Sequence, residues 1–189
     1  EAPRGAPLPH EPRPVLQVTP AGAPLWLCGQ APGTRVHASG RPFTDPSGDR
    51  LRDWLGLPEA VFHDRSQVAI IPMGFCFPGL DGRGADRPPR PECAAAWRAA
   101  LCAALPPPGL TVTLGLGAAR WHLARAGRRA WADRPLGAIV ADWREILQAC
   151  AIMPLPHPSW RNKGWLRAHP WFADELLPIL RARVAKLLG

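Results

Sequence analysis

The 189-residue sequence has few lysines, no closely paired cysteines and no long apolar run. Lysine occurs only at Lys163 and Lys186, although Lys and Arg together number 23. The five cysteines (28, 76, 93, 102 and 150) are odd in number and form no CxxC pair. That argues against a secreted disulfide framework and against a simple zinc site, and reduced thiols in a cytoplasmic protein are expected. No apolar stretch is long enough to span a bilayer, so no membrane segment is expected. The opening EAPRGAPLPHEPRP lacks the basic-then-apolar pattern of a signal peptide. There is no Walker A sequence, no HExxH and no GxSxG elbow. The six histidines show no ligand spacing, so no metal site is expected.

Hydrophobic residues make up 47% and charged residues 20%, which suits one globular domain with a real core. The 25 prolines imply many loops and hard stops. Against 15 acidic residues the 23 basic ones leave a formal charge of +8. A small domain this basic suits a polyanion, nucleic acid first. A compositional drift toward Arg gives the same charge, so the charge alone leaves both open.

Residues 1–24, rich in Pro, Ala and Gly, read as an arm that is laid over the domain or partly disordered. Residues 25–189 read as a single domain. Four short apolar runs predict buried strands: Leu25–Cys28, Val68–Ile71, Leu110–Leu114 and Ala151–Leu155. Each is continuous and followed by Gly or Pro, as parallel strands covered on both faces should be. Helical spacing lies between them at Ser47–Leu57 (with Ser47 as N-cap), Pro91–Leu105, Gly117–Ala126 and Ala141–Ala149, and Trp171–Leu188 closes the chain. Alternating strands and helices predict an α/β fold, a three-layer α/β/α sandwich around a four-stranded parallel sheet. Residues 79–91 form a polar, basic loop.

Ligands in open parallel sheets bind at the carboxyl ends of the strands. The first strand runs into Gly29-Gln30-Ala31-Pro32-Gly33 and the last into Pro156-His157-Pro158-Ser159-Trp160-Arg161-Asn162. Both segments are dense in turn-forming and polar residues. Gly115-x-Gly117 lacks the third glycine of a dinucleotide fingerprint and reads as a tight turn. Ser159 beside His157 lacks a nucleophile's surroundings and reads as a turn residue.

Two segments together carry a more specific signal. GQAPGTRVHASGRPFTDPSGDRL (Gly29–Leu51) resembles the first motif of the uracil-DNA glycosylase superfamily, and HPSWRN (His157–Asn162) resembles its closing motif. They stand in the family's order. The likeness in element order spans roughly residues 25–188. The resemblance implies a four-stranded parallel sheet, a monomer, uracil-containing DNA as partner and base-excision repair as the setting.

The resemblance also implies roles. His157 would donate to the uracil O2 as negative charge develops there, a type of contact that lowers a barrier by a few kcal/mol. Phe43 in G-R-P-F would stack on the flipped base, although core packing is its other reading. Ala31, Pro32 and Gly33 would close one wall of the pocket. Arg161 takes the position of the wedge that fills the gap left by the flipped base, as in the single-strand-selective monofunctional branch. Ser159, Trp160, Asn162 and Lys163 would flank it on DNA, and a solvated basic loop is the plainer alternative. Lys163 is the one lysine near the site, so no lyase activity is expected.

Three departures from the family pattern stand out. Gln30 occupies a position that is acidic in several branches, so it would orient the attacking water rather than take its proton. Asp45 is then the candidate base, with a helix N-terminal acid as its other reading. Pro72 occupies the position where many branches read uracil with an Asn, which transfers base reading to backbone groups of Met73 or Gly74 or to another side chain. Cys76 and Cys93 fall near two of the four thiolates that hold a [4Fe–4S] cluster in some branches, but two cannot hold it, so no cofactor is expected. The expected activity is uracil removal. Its rivals are a glycosylase for hypoxanthine or xanthine, a non-catalytic DNA-binding module, and an unrelated small-molecule enzyme on the same fold.

Overall fold

The computed structural model describes residues 7–189, so residues 1–6 of the expected arm lie outside it. The chain runs β1 (Leu25–Cys28), α1 (Thr34–Ser39), α2 (Pro46–Leu55), α3 (Glu59–Phe62) and β2 (Val68–Ile70). A continuous helical segment follows, made of α4 (Pro91–Cys93), a π-helical stretch (Ala94–Arg98) and α5 (Ala99–Ala104). Then come β3 (Leu110–Leu114), α6 (Leu116–Arg125), α7 (Arg129–Ala132), α8 (Leu136–Ala141), α9 (Trp143–Cys150) and β4 (Ile152–Leu155). A 3-10 turn (Trp160–Asn162), α10 (Lys163–Ala168), a π turn (Phe172–Leu176) and α11 (Leu177–Leu188) complete it.

The four strands form one parallel sheet in the order β2-β1-β3-β4. Every strand residue is buried, which is why the strands read as continuous apolar runs. Period-2 alternation still divides them between the two faces. Leu25 and Leu27 join a core with Leu51, Trp54 and Leu55 of α2 and Leu180 and Val184 of α11. Trp26 and Cys28 face the other way, into a core with Ala69, Cys102, Leu105 and Ala118. Helices thus cover both faces, giving the expected α/β/α sandwich.

The boundaries differ from the sequence reading for local reasons. β2 ends at Ile70, two residues before Pro72, whose ring removes a ladder donor. β4 begins at Ile152 because Ala151 closes α9 in the left-handed region at φ 52°. The N-cap of α2 is Asp45 rather than Ser47. Pro46 fits the first helical position, and the Asp45 carboxylate accepts from the Gly48 N–H at 3.2 Å. Ser47 instead donates its hydroxyl to the same Asp45 oxygen at 2.6 Å.

The described part of the arm runs along the sheet edge. Gln17 exchanges backbone hydrogen bonds with Ile70 at 2.9 and 2.8 Å, and Val15 donates to the Phe75 carbonyl at 2.8 Å. The buried Gln17 amide also donates to the carbonyls of Phe62 (3.0 Å) and Val68 (2.8 Å). This contact covers an edge strand that would otherwise present unpaired backbone.

Candidate active site

The carboxyl ends of β1 and β4 open into one cavity of about 860 Å³, within the usual range for small-ligand sites. Gly29 to Gly33 supply one wall, Phe43 and Asp45 a second, and His157 to Asn162 a third. Pro72 and residues 84–88 of the long loop complete the lining. The structure therefore brings together Gln30, Ala31, Pro32, Gly33, Phe43, Asp45, His157, Ser159, Trp160, Arg161 and Asn162. Met73, Gly74 and Lys163 do not line it.

His157 follows directly from the β4 terminus. Burial is the main influence on its imidazole and lowers its pKa below the ordinary 6.5; nearby Asp45 partly offsets this, and Arg161 adds to it. The ring is therefore neutral at physiological pH, with one N–H to donate. The loop that carries it is braced from two sides. Arg50 donates to the Ser159 carbonyl at 2.9 Å, and the Asn162 amide donates to the His157 carbonyl at 2.7 Å. Asn162 is thus engaged inside its own loop. Arg50 escaped the sequence reading because its partner is 109 residues away and is a backbone oxygen.

Asp45 carries both its cap bonds on Oδ1, from the Ser47 hydroxyl and the Gly48 N–H. Neither engages Oδ2. Phe43 sits nearby in the left-handed region at φ 55°, with its ring edge-on to Phe62 at 5.9 Å between centroids. Its ring tip lies 3.5 Å from where a Cβ on Gly29 would stand. Gln30 is exposed, and its Nε2 lies 3.4 Å from where a Cβ on Gly115 would stand, with the His157 Cβ 4.0 Å from the same point. Gly115 has φ 92°, so a residue without a side chain both fits the backbone and leaves room for Gln30 and His157.

The backbone at the end of β2 narrows one expectation, since the N–H groups of Met73 and Gly74 are engaged within the protein. The Met73 N–H donates to the Gly29 carbonyl at 2.9 Å and the Gly74 N–H to the Gln30 carbonyl at 3.1 Å. These donors hold the first loop in place and are not free to read a base edge. Another cavity residue missed from sequence is Asp86. It accepts from the Thr34 hydroxyl at 2.9 Å and from the Thr34 N–H at 3.3 Å. A Cβ on Gly33 would meet Asp86 at 2.5 Å, so the first loop and the long loop close on each other here.

A family model described as the uracil DNA glycosylase superfamily matches residues 16–181, most of the chain. The chain belongs to that superfamily. Membership makes it a DNA glycosylase of base-excision repair, and its macromolecular partner is DNA. Beside the glycosylase cavity, Trp160 projects with 71% of its surface exposed and Arg161 next to it.

Iron–sulfur clusters occur in some branches of the superfamily, but the donor set here does not fit one. Burial raises the thiols of both Cys76 and Cys93 above their ordinary value, and Cys93 adds to the rise at Cys76. Cys28 lies in the sheet core and Cys102 under the helices, and burial pushes Cys28 up to about 11. Among the described residues, no group of three or more His, Cys, Asp or Glu could hold a metal ion. Among them too, no helix is long and apolar enough to cross a membrane.

Proposed function

We propose that this DNA glycosylase is monofunctional, flips uracil out of DNA and hydrolyses its N-glycosidic bond, leaving an abasic site. The observation that carries the reading is the convergence of a neutral His157, the Asp45 carboxylate and the Phe43 ring on one cavity between the ends of β1 and β4. Extrusion of the nucleotide is required because the bond cannot be reached inside the duplex. Phe43 stacks on the extruded base. Arg161 enters the gap left behind, with Trp160 alongside.

As the C1′–N1 bond breaks, its electron pair passes to the base and negative charge collects on the uracil oxygens. The His157 N–H donates to O2 and stabilises that charge without transferring its proton. A neutral imidazole suits this role because it acts in a pocket that also favours an uncharged ring. Water then adds to the cationic sugar at C1′. Gln30 orients it, and Asp45 receives its proton through the oxygen not used in capping α2.

Pro72 in the cavity wall favours a second reading, a glycosylase for another deaminated base such as hypoxanthine or xanthine. Proline offers no side-chain donor there, and the N–H groups of Met73 and Gly74 are already engaged. The test is single-turnover cleavage of 5′-labelled oligonucleotides bearing one uracil, hypoxanthine or xanthine, followed by alkali. Alkali-dependent breaks at uracil support the main reading, and breaks at the purines alone support the second. Binding without breaks at any of the three contradicts both.

A further inference from the structure

The helical segment between β2 and β3 carries an arginine that the mechanism above does not use. Arg98 is fully buried at the end of a π-helical stretch, a feature often found near functional sites. Among the described residues, no carboxylate is bonded to it. Its Nη1 donates to the carbonyls of Ile71 (2.8 Å) and Pro72 (2.6 Å), and its Nη2 meets His122 Nε2 at 2.6 Å. A guanidinium has only donors, so His122 Nε2 is the acceptor. The Trp121 ring lies 4.8 Å from the guanidinium carbon.

Burying a cation without a counter-ion is costly, and an apolar side chain would fill a core site at less expense. The carbonyls it serves stand where β2 ends and the cavity wall begins. Its bond to Pro72 fixes one end of the Pro72–Met73 peptide. The N–H at the other end donates to Gly29, and the next N–H donates to Gln30. A rigid path therefore runs from Arg98 through one peptide plane to the loop that bears Gln30.

We propose that Arg98 is a positioning residue for hydrolysis: it locks the Pro72–Met73 peptide, which holds the Gly29–Gln30 loop and so keeps the Gln30 amide beside His157. This rests on the role given to Gln30 under the proposed function. Lysine cannot replace it, because a single ammonium lacks the planar fork that reaches two carbonyls and an imidazole together. Small displacements of a water-orienting group are expensive, since 1 Å of misplacement costs about a hundredfold in rate.

The test is a double-mutant cycle between Arg98→Lys and Gln30→Ala, read as single-turnover cleavage of a uracil oligonucleotide. Affinity for the same DNA carrying a tetrahydrofuran abasic analogue is measured alongside, and melting curves establish folding. The expected result is a loss of about tenfold or more for Arg98→Lys in the wild-type background. In the Gln30→Ala background the same change has an effect under about threefold, because the group it positions is gone. Affinity for the abasic analogue stays within about twofold throughout. Should Arg98→Lys fail to fold, His122→Leu, which removes one acceptor, and His122→Gln, which keeps one, take its place. The former then loses rate and the latter recovers it. Losses that multiply in the double variant, equal losses in rate and affinity, or a folded variant with unchanged rate would each overturn the proposal. A wild-type protein that leaves uracil uncleaved overturns the functional reading and this proposal with it.

Discussion

Gly48 lies against the carbonyl of Phe43, so that a Cβ at Gly48 would stand 1.9 Å from that oxygen. The obstructing atom is backbone and cannot rotate away. Phe43 itself is held in the left-handed region, which a bulky residue adopts only when its surroundings impose it. The first turn of α2 thus sets the pose of the ring proposed to stack on the base. Gly48→Ala is expected to cost about 2 kcal/mol or more of stability and to lower cleavage by displacing Phe43. Thermal melts and single-turnover rates check this. An alanine variant with an unchanged melting temperature would show that the contact relaxes without consequence.

Asp45 caps α2 and is the proposed proton acceptor, and one substitution separates the two roles. Asparagine caps a helix as well as aspartate does, so Asp45→Asn keeps α2 intact and the melting temperature nearly unchanged. It removes the proposed proton acceptor, and the cleavage rate should fall about 10²–10⁴-fold. A folded variant with the wild-type rate would take the carboxylate out of the mechanism and leave water placement to Gln30 alone.

The buried Arg98–His122 contact predicts a pH-dependent stability. Burial first, then the Arg98 and Arg125 charges, hold the His122 pKa down at about 3 against an ordinary 6.5. Between those values the unfolded chain binds more protons than the folded one. The contribution is therefore complete above pH 6.5 and is lost as pH falls toward 3, a difference of a few kcal/mol. His157, His63 and His37, whose pKa values are also lowered, act in the same direction. Denaturant titrations across this range should show wild-type stability falling more steeply than that of His122→Gln, whose amide accepts from Arg98 but does not titrate. Parallel curves for the two proteins would contradict the assignment.

Arg161 is exposed beside Trp160 at the cavity mouth, and as the proposed wedge it is also expected to meet a phosphate. Each phosphate contact contributes about one unit to the slope of log affinity against log salt. Arg161→Ala should lower that slope by about one and weaken binding with little regard to sequence. An unchanged slope with weakened binding would instead favour a purely steric wedge.

How much of this was legible in the sequence differs from residue to residue. The strands could be read because parallel strands buried on both faces leave continuous apolar runs such as Leu110–Leu114. The loops after β1 and β4 could be read because a fixed strand order places their Gly, Pro and His residues at one edge. The cap of α2 could not, since Asp45 and Ser47 are both competent and Pro46 between them decides it. Arg98 lies in an Ala-rich helical stretch, where an arginine normally marks a solvated face. Its partners at Ile71 and Pro72 are backbone carbonyls, which carry no side-chain signature. Met73 and Gly74 looked free to read a base for the same reason, since their bonds to Gly29 and Gln30 exist only once β1 and β2 lie side by side.

The central claim is that His157 stabilises the departing uracil. Single-turnover cleavage of a 5′-labelled oligonucleotide with one uracil, single- and double-stranded, tests it most directly, with wild type and His157→Ala run side by side and treated with alkali. The account predicts alkali-dependent breaks with wild type and a rate lower by about two to three orders of magnitude in the variant, with the fold intact. A folded His157→Ala protein that cleaves at the wild-type rate would contradict it.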